Sequence, residues 1–573
     1  MRAAAATFRR LLGGRAPDAR DRRLLFDTVA LGVVGAVAAQ LFTWLLRLST
    51  DLFLGRLAGY RPPGSLNEGG ATPEVIGAHG LWLIPVVTTL GGLIVGLLVE
   101  RFAPEAEGHG TDAAIKAFHR SDGRIRARVP FVKLVASAIT IGSGGAAGRE
   151  GPMALITGGV GSWYASITGR EGRDRRLLLM IGLAAGLSAI FRSPIGAALF
   201  AVEVLYADME FEPGALLYTV IGAIVAYALN GMVVGWQPLF RVPALIGQLP
   251  NPRDYLWYIV LGLAAGLAAT ALPVVFYGAR DLFRRLPVRA AWRPAVGGLV
   301  TGLIALAFPQ VIGGGYGWMQ KAIDGQLALG TLGALIVAKS VAMSATVGSG
   351  GSGGVFAPIL FVGAMLGGAC AVIVHQPAAP FVVVGMAAVF AGAAHVPIAT
   401  MMMVTEMTGG YTLLVPATLA VVISYLVQRR LARGFKYRCV YEAQVPSRAD
   451  SPAHHTRHLE IALRILNERG LRNVEHAGEL DLLSLLRSGI PVELPGDRRL
   501  LVGAIRPGSA LVGTAVGESG AVLGNHDSNI VAVIRGEHML GPRPDIVLEK
   551  GDRLILVTAV SALARVWKQV EPW

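Results

Sequence analysis

The chain has 573 residues, of which 53% are hydrophobic and 16% charged, with a mean hydropathy of +0.54. This balance excludes an ordinary soluble or disordered chain, because stretches so apolar need lipid to cover them. The formal charge of +14 does not mark a nucleic-acid binder, since the basic residues gather at the ends and in loops rather than along one helix face.

In chain order, Arg2, Arg9, Arg10, Arg15, Arg20, Arg22 and Arg23 precede the first apolar run and face only Asp18 and Asp21. They make residues 1–24 a basic, cytoplasmic N-terminus. The Arg9-Arg10 pair is not read as a twin-arginine export signal: a polar stretch follows it, no small-residue cleavage site ends a short apolar core, and the first apolar run is long enough to span. Segments 25–46, 80–100, 214–235, 255–277, 331–347 and 411–427 approach the about 20 residues a spanning helix needs. The pieces 153–168, 178–191, 194–206, 380–393 and 396–408 are shorter and punctuated by Gly or Pro. They read as broken or re-entrant helices buried in protein, because irregular backbone at membrane depth cannot face lipid. Arg429, Arg430, Arg433, Lys436 and Arg438 follow the last apolar run and place the C-terminal tail on the cytoplasmic side too. Cys370 and Cys439 form neither a disulfide framework nor a metal cluster.

An internal duplication organises these segments. Gly142-Ser143-Gly144-Gly145-Ala146-Ala147-Gly148-Arg149-Glu150-Gly151-Pro152 aligns without a gap on Gly348-Ser349-Gly350-Gly351-Ser352-Gly353-Gly354-Val355-Phe356-Ala357-Pro358, and Lys133 and Lys339 stand nine residues before the two copies. Further out, Gly182, Pro194 and Glu203 recur as Gly385, Pro397 and Glu406, and Gly32 and Asp51-Leu52-Phe53 as Gly262 and Asp281-Leu282-Phe283. Two related halves with helices broken at matching glycines point to a transport site between the halves.

The glycine motifs supply a chemistry. A helix start exposes backbone N–H groups and carries roughly half a positive charge, so it attracts an anion without a lysine or arginine. It also holds that anion weakly enough to release it. Each copy ends in Gly-x-x-x-Pro before an apolar run, and can open a helix at membrane depth. Glycines for helix packing alone would explain small residues, but not the Arg149-Glu150 pair between two of them.

Gly148-Arg149-Glu150-Gly151-Pro152 and Gly354-Val355-Phe356-Ala357-Pro358 resemble the CLC family of chloride channels and proton/chloride exchangers. Three further motifs agree with the resemblance: Phe102-Ala103-Pro104-Glu105-Ala106 leading into Gly108-His109-Gly110, Glu406-Met407-Thr408, and Val440-Tyr441-Glu442-Ala443-Gln444. The resemblance covers residues 25–445. It implies an all-α polytopic membrane protein of inverted repeats, with halves at about 25–238 and 253–428, in the inner or plasma membrane, forming a homodimer with one pore per subunit and no cofactor. Chloride would be held by the backbone near Gly110, Arg149, Glu150, Gly151, Val355, Phe356 and Ala357, and by the side chains of His109 and Tyr441. Glu150 matches the gating glutamate, a carboxylate that occupies the anion's place, whereas pairing with Arg149 alone would be a structural role; an ionisable residue at membrane depth favours function.

Two departures from the family pattern stand out. His109 replaces the usual serine, so either its imidazole reaches the anion or it turns away and the amides bind alone. Val204 aligns with the proton-relaying glutamate of many exchangers, with Glu203 one position earlier; no relay is assigned, and passive conduction is favoured over proton-coupled exchange, the alternative.

After residue 445 a polar linker, 446–495, carries amphipathic stretches within 459–489, and short apolar runs follow. Leu500–Ile505, Asn529–Ile534 and Arg553–Thr558 read as strands, with a Gly551-Asp552 turn before the last and a closing helix at 561–570. Residues 496–573 resemble the small α/β ligand-binding C-terminal domain of RCK-type regulators, which implies a regulatory role and a small cytoplasmic ligand such as a cyclic nucleotide. His454-His455-x-x-His458 stands in the polar linker, where histidines usually bind no metal, and is read as no metal site. A rival from another class is an intramembrane serine protease using Ser352 in Gly350-Gly351-Ser352-Gly353 and His395 as base. Against it, the first half has Ala146 where Ser352 aligns, and one active site needs no second copy.

Overall fold

The computed structural model describes residues 19–64, 73–170, 172–206, 213–242, 254–441, 491–494, 498–524, 527–535, 538–540 and 543–572. Arginines 2–15, most of the linker with its amphipathic stretches, the His454–His458 cluster and Glu442-Ala443-Gln444 lie outside the described residues. The chain divides into two compact units, Met1–Gln444 and Val445–Trp573.

Among the described residues the first unit is helical apart from loops and one short β-pair, β1 (Tyr60–Arg61) with β2 (Val75–Ile76). Its first half consists of α1 (Ala19–Thr50), which runs into a π-helical turn at Asp51–Ala58, then α2 (Ile84–Phe102), α3 (Thr111–Arg120), α4 (Arg128–Gly142), α5 (Glu150–Ile167), α6 (Gly172–Phe191), α7 (Pro194–Tyr206) and α8 (Pro213–Val234). Its second half consists of α9 (Asp254–Arg285), α10 (Arg293–Ala307), α11 (Tyr316–Ile323), α12 (Leu329–Gly348), α13 (Phe356–Ile373), α14 (Ala378–Ala394), α15 (Pro397–Thr408) and α16 (Leu414–Leu431). The halves match helix for helix among the described residues, α1 with α9 through α8 with α16.

The short apolar pieces are helices buried in protein. In α6 every residue from Leu178 to Phe191 is buried, and in α14 every residue from Ala379 to Ala394; a helix apolar all round belongs in an interior. Gly182 and Gly385, paired by the duplication, share one task. A Cβ on Gly182 would stand 2.4 Å from the Thr157 carbonyl of α5, and one on Gly385 would stand 2.5 Å from the Gly363 carbonyl of α13. These glycines serve close packing. Among the described residues, eight segments are by length and composition long and apolar enough to cross a membrane. Two of these, Ala290–Ala307 and Phe356–Ile373, go beyond the six sequence-predicted spans, and α4 was not anticipated at all.

The second unit carries an antiparallel sheet in the order β3 (Val492–Leu494), β4 (Arg498–Ile505), β7 (Arg553–Ala559), β5 (Ser528–Arg535), β6 (His538–Leu540), with β8 (Val570–Pro572) also on β4. Two short helices, α17 (Ser519–Leu523) and α18 (Leu563–Gln569), accompany it. Leu501, Val533, Leu554 and Leu556 bury one sheet face with Val566 of α18. All three expected strands are present, and so is the turn: Gly551 adopts φ +91°. Asp552 beside it accepts two bonds from the Arg535 guanidinium, at 2.8 and 2.9 Å, and one from the Glu549 amide. This paired charge ties the β7 turn to β5.

Candidate anion site between the two halves

The two glycine motifs meet head to head. Gly148 N–H donates to the Gly354 carbonyl and Gly354 N–H to the Gly148 carbonyl, both at 2.7 Å. This antiparallel pair is what a two-fold relation between the halves requires at its axis. Arg149 and Val355 then stand as N-caps with nearly the same backbone angles, φ −87° and −94°, and α5 and α13 start at Glu150 and Phe356. The N–H groups of Glu150, Gly151, Phe356 and Ala357 therefore lie in first turns, where an α-helix offers no internal acceptor. Helix dipoles add positive potential from both sides. Close approach needs glycine: a Cβ on Gly151 would stand 2.2 Å from the His109 carbonyl and 3.0 Å from Gly354 Cα.

Buried lysines hold a loop against each motif. Lys133 Nζ donates to the carbonyls of Ala106 and Gly108, at 3.0 and 2.6 Å, and Lys339 Nζ to those of Val311 and Gly313, at 2.7 and 2.6 Å. Both lysines are fully buried, and the carbonyls replace the water each ammonium has lost. Sequence reading located these lysines but not their work. Nor did it find the second loop, Gly313-Gly314-Gly315-Tyr316, which corresponds to Gly108-His109-Gly110-Thr111. Gly110 and Gly315 precede α3 and α11 with φ +90° and +79°, a region open to glycine, and each loop follows a Pro-initiated turn, Pro104–Ala106 or Pro309–Val311. The signal was there: proline four residues before the glycine-rich loop in both halves.

His109 is buried, and its ring centroid lies 5.3 Å from that of Tyr441 and 6.0 Å from that of Phe276. The imidazole thus faces the tyrosine. Tyr441 is itself buried, with the Phe200 ring 6.4 Å away between centroids. Phe356 packs against Phe191 and Phe390, with 4.4 and 4.1 Å between ring centroids. Glu150 is 1% exposed, and its carboxylate accepts a hydrogen bond from the Tyr316 hydroxyl.

A cavity of about 590 Å³ opens beside His109 and is lined by Lys116, Arg124, Arg126, Arg280 and Arg284 against Glu105, Glu107 and Asp112. Five cations against three carboxylates give it a positive balance. The Arg280 guanidinium lies against the stacked rings of Tyr277 and Tyr437, 4.5 and 5.0 Å from their centroids. A smaller cavity of about 170 Å³, lined by Arg149, Gly314, Gly315 and Tyr316, lies by the end of α1.

Val204 is buried and aliphatic, and Glu203 has another task. Its carboxylate accepts from the amides of Ile398 and Ala399 at 3.2 and 2.7 Å, the first turn of α15, while Glu406 accepts from Gly196 N–H in the first turn of α7 at 2.8 Å and from the hydroxyl of Ser193 just before it. Each half caps the other's helix. Glu203→Ala and Glu406→Ala should each destabilise the protein by about 1–2 kcal/mol, read as a lower melting temperature in detergent. The Glu→Gln variants keep an acceptor oxygen and should lose less; unchanged melting in both alanine variants would remove the capping role.

The protease arrangement is not formed. Ser352 Oγ donates to the Ala106 carbonyl at 3.0 Å and pairs with Ser137 at 2.9 Å, while His395 Nε2 meets Gln428 at 2.5 Å.

The sequence profile described as "Voltage gated chloride channel" matches residues 91–429, more than half of the chain. The chain belongs to that family. Curated CLC relatives include the voltage-gated ClC-type chloride channel ClcB of Salmonella typhimurium, 31% identical over 427 residues, covering 73% of this chain and 98% of that one. ClcB of Escherichia coli O81 is 31% identical over 428 residues with the same coverage. Solved structures share the fold. A slow cyanobacterial Cl−/H+ antiporter superposes with a TM-score of 0.61 at 22% identity, covering 73% of this chain and 95% of that one. A CLC-type fluoride/proton antiporter gives 0.62 at 20%, covering 75% and 99%. The profile of the TrkA-C domain matches residues 504–569, so this CLC chain carries an RCK-C-like tail. It is a multi-pass membrane protein of a transporter family, not an enzyme family.

Proposed function

We propose that the protein carries chloride across the bilayer, the anion resting on the first-turn amides of α5 and α13 and Glu150 acting as a carboxylate plug. One observation supports this most: two helix starts from opposite halves converge on a buried carboxylate, which stands in for the anion the same dipoles attract. The basic cavity beside His109 is then the cytoplasmic entrance and the Tyr316 cavity the outer one, in keeping with cytoplasmic termini. The curated relatives are described as chloride channels. The solved relatives are described as proton-coupled antiporters, which shifts the reading from passive conduction to proton-coupled exchange. Because Val204 is aliphatic and Glu203 is a helix cap, protons would reach Glu150 without the relay many exchangers use. The reversal potential of purified protein in a chloride gradient decides: displacement by a proton gradient supports exchange, and a value at the chloride equilibrium potential restores the passive channel.

His109 sets selectivity in this reading, since its ring stands beside Tyr441 rather than turned away. His109→Ser should change the chloride-to-nitrate permeability ratio in reconstituted vesicles and leave melting unaltered. An unchanged ratio means that the amides alone select.

A homodimer with one pathway per subunit is part of the proposal, to be tested by cross-linking in membranes. The tail regulates rather than completes the pathway, through a small cytoplasmic ligand, as its TrkA-C match suggests. A ligand shifts an open–closed balance only by its differential affinity for the two states. Truncation after Gln444 should therefore preserve chloride flux and abolish any response to a ligand panel that includes cyclic nucleotides. A folded truncated protein that carries no chloride would make the tail part of the transport machinery.

A further inference from the structure

We infer that Tyr316 is a second gating residue, an outer latch whose hydroxyl holds the Glu150 carboxylate in its buried, blocking position. This rests on the plug reading of Glu150 and adds a residue to it. The hydroxyl donates to the Glu150 carboxylate across 166 residues of sequence, and it comes from the opposite half of the duplication. Its ring is fixed on two sides, by Phe240 at 5.9 Å between centroids and by the Arg149 guanidinium at 5.3 Å from the ring centroid. Tyr316 also lines the smaller cavity, so the phenol stands between that opening and a carboxylate that is 1% exposed.

The two-fold relation strengthens the assignment. Each half spends a fully buried lysine on holding a glycine loop in place, and each loop ends at the first residue of a short helix. In the first half that residue is Thr111, two residues after His109, whose ring meets that of Tyr441. In the second half it is Tyr316, which bonds Glu150. The Lys339 apparatus thus aims a hydroxyl at the plug, as the Lys133 apparatus sets His109 beside the inner tyrosine. A neutral donor is suited to a latch, because it favours the carboxylate's resting position without holding it as a buried cation would.

Chloride flux from vesicles holding full-length protein tests this in a double-mutant cycle of Tyr316→Phe and Glu150→Ala. Phenylalanine keeps the contacts to Phe240 and Arg149 and removes only the oxygen. With Glu150 present, Tyr316→Phe should raise flux at neutral pH by about tenfold, the scale of one hydrogen bond to a charged group. It should also lower the half-saturating outer chloride concentration, since chloride then competes with a looser plug. With Glu150→Ala, the same substitution should change neither quantity. No increase from Tyr316→Phe, while Glu150→Ala does open flux, overturns the latch and leaves the plug standing. Equal changes in both backgrounds also overturn it, because Tyr316 would then act without Glu150. If Glu150→Ala itself fails to raise flux, the plug reading falls and takes the latch with it.

Discussion

Glu150→Gln should raise chloride flux about tenfold at neutral pH, a population shift of about 1.4 kcal/mol, and should leave that flux independent of pH. The side chain starts α5, where the dipole and the first-turn amides favour a negative group, and it is 1% exposed. In the proposed mechanism chloride competes with this carboxylate for the same donors. Protonation removes the competitor's charge, so acid should open the wild-type protein. Glutamine is nearly isosteric and uncharged at every pH, so it fixes the protein in the state that acid reaches. Proton coupling, where present, should vanish in the same variant, because no titratable group would remain at the plug. Measurement is by chloride efflux from vesicles between mildly acidic and mildly alkaline pH. A variant whose flux still climbs on acidification would show that another group senses the proton.

What could be read from the residues follows from where the chemistry is local. The two glycine motifs were legible because close backbone approach admits only glycine, and that requirement leaves a mark in the sequence at Gly148, Gly151 and Gly354. The strands of the tail were legible because apolar runs of six or seven residues between turn signals have few other uses. By contrast, Glu203 was read only as the neighbour of a missing proton relay. Its task depends on Ala399, 196 residues away, and no local pattern announces that contact. The second loop was missed for a related reason: its register drifts by one residue against the motifs, 205 rather than 206, and Gly314 replaces His109, so only geometry pairs it with the first. Helix α4 was missed because it is 15 residues long, under the length that a spanning-helix search expects, and α10, also 15 residues, reaches spanning length only with the turn Ala290–Trp292 before it. Buried Lys133 also breaks the apolar pattern of α4, though its charge is satisfied by carbonyls that the sequence does not locate.

Gly151→Ala should weaken chloride binding at least about tenfold in a protein that still folds. A Cβ at this position would lie 2.2 Å from the His109 carbonyl oxygen and 3.3 Å from its carbon, with Gly354 Cα at 3.0 Å, so backbone from both halves is in the way. Relief by local movement is blocked on each side. The His109 loop is held through Lys133 and the Gly108 carbonyl at 2.6 Å, and Gly354 is tied to Gly148 by the paired bonds at 2.7 Å. The start of α5 must therefore retreat from α13, which separates the amides that the anion needs together. Overpacking of this kind costs about 1–3 kcal/mol, within what a large membrane domain tolerates, but dipoles moved apart no longer converge on one ion. Calorimetric titration of the monodisperse variant should show chloride affinity reduced by at least about tenfold, equivalent to about 1.4 kcal/mol, and flux should fall in parallel. Gly278→Ala is the matched control, because a Cβ on that α9 glycine meets no atom within 4 Å. Wild-type chloride affinity in Gly151→Ala would mean that the meeting of the two helix starts is structural, and that the anion binds elsewhere along the pathway.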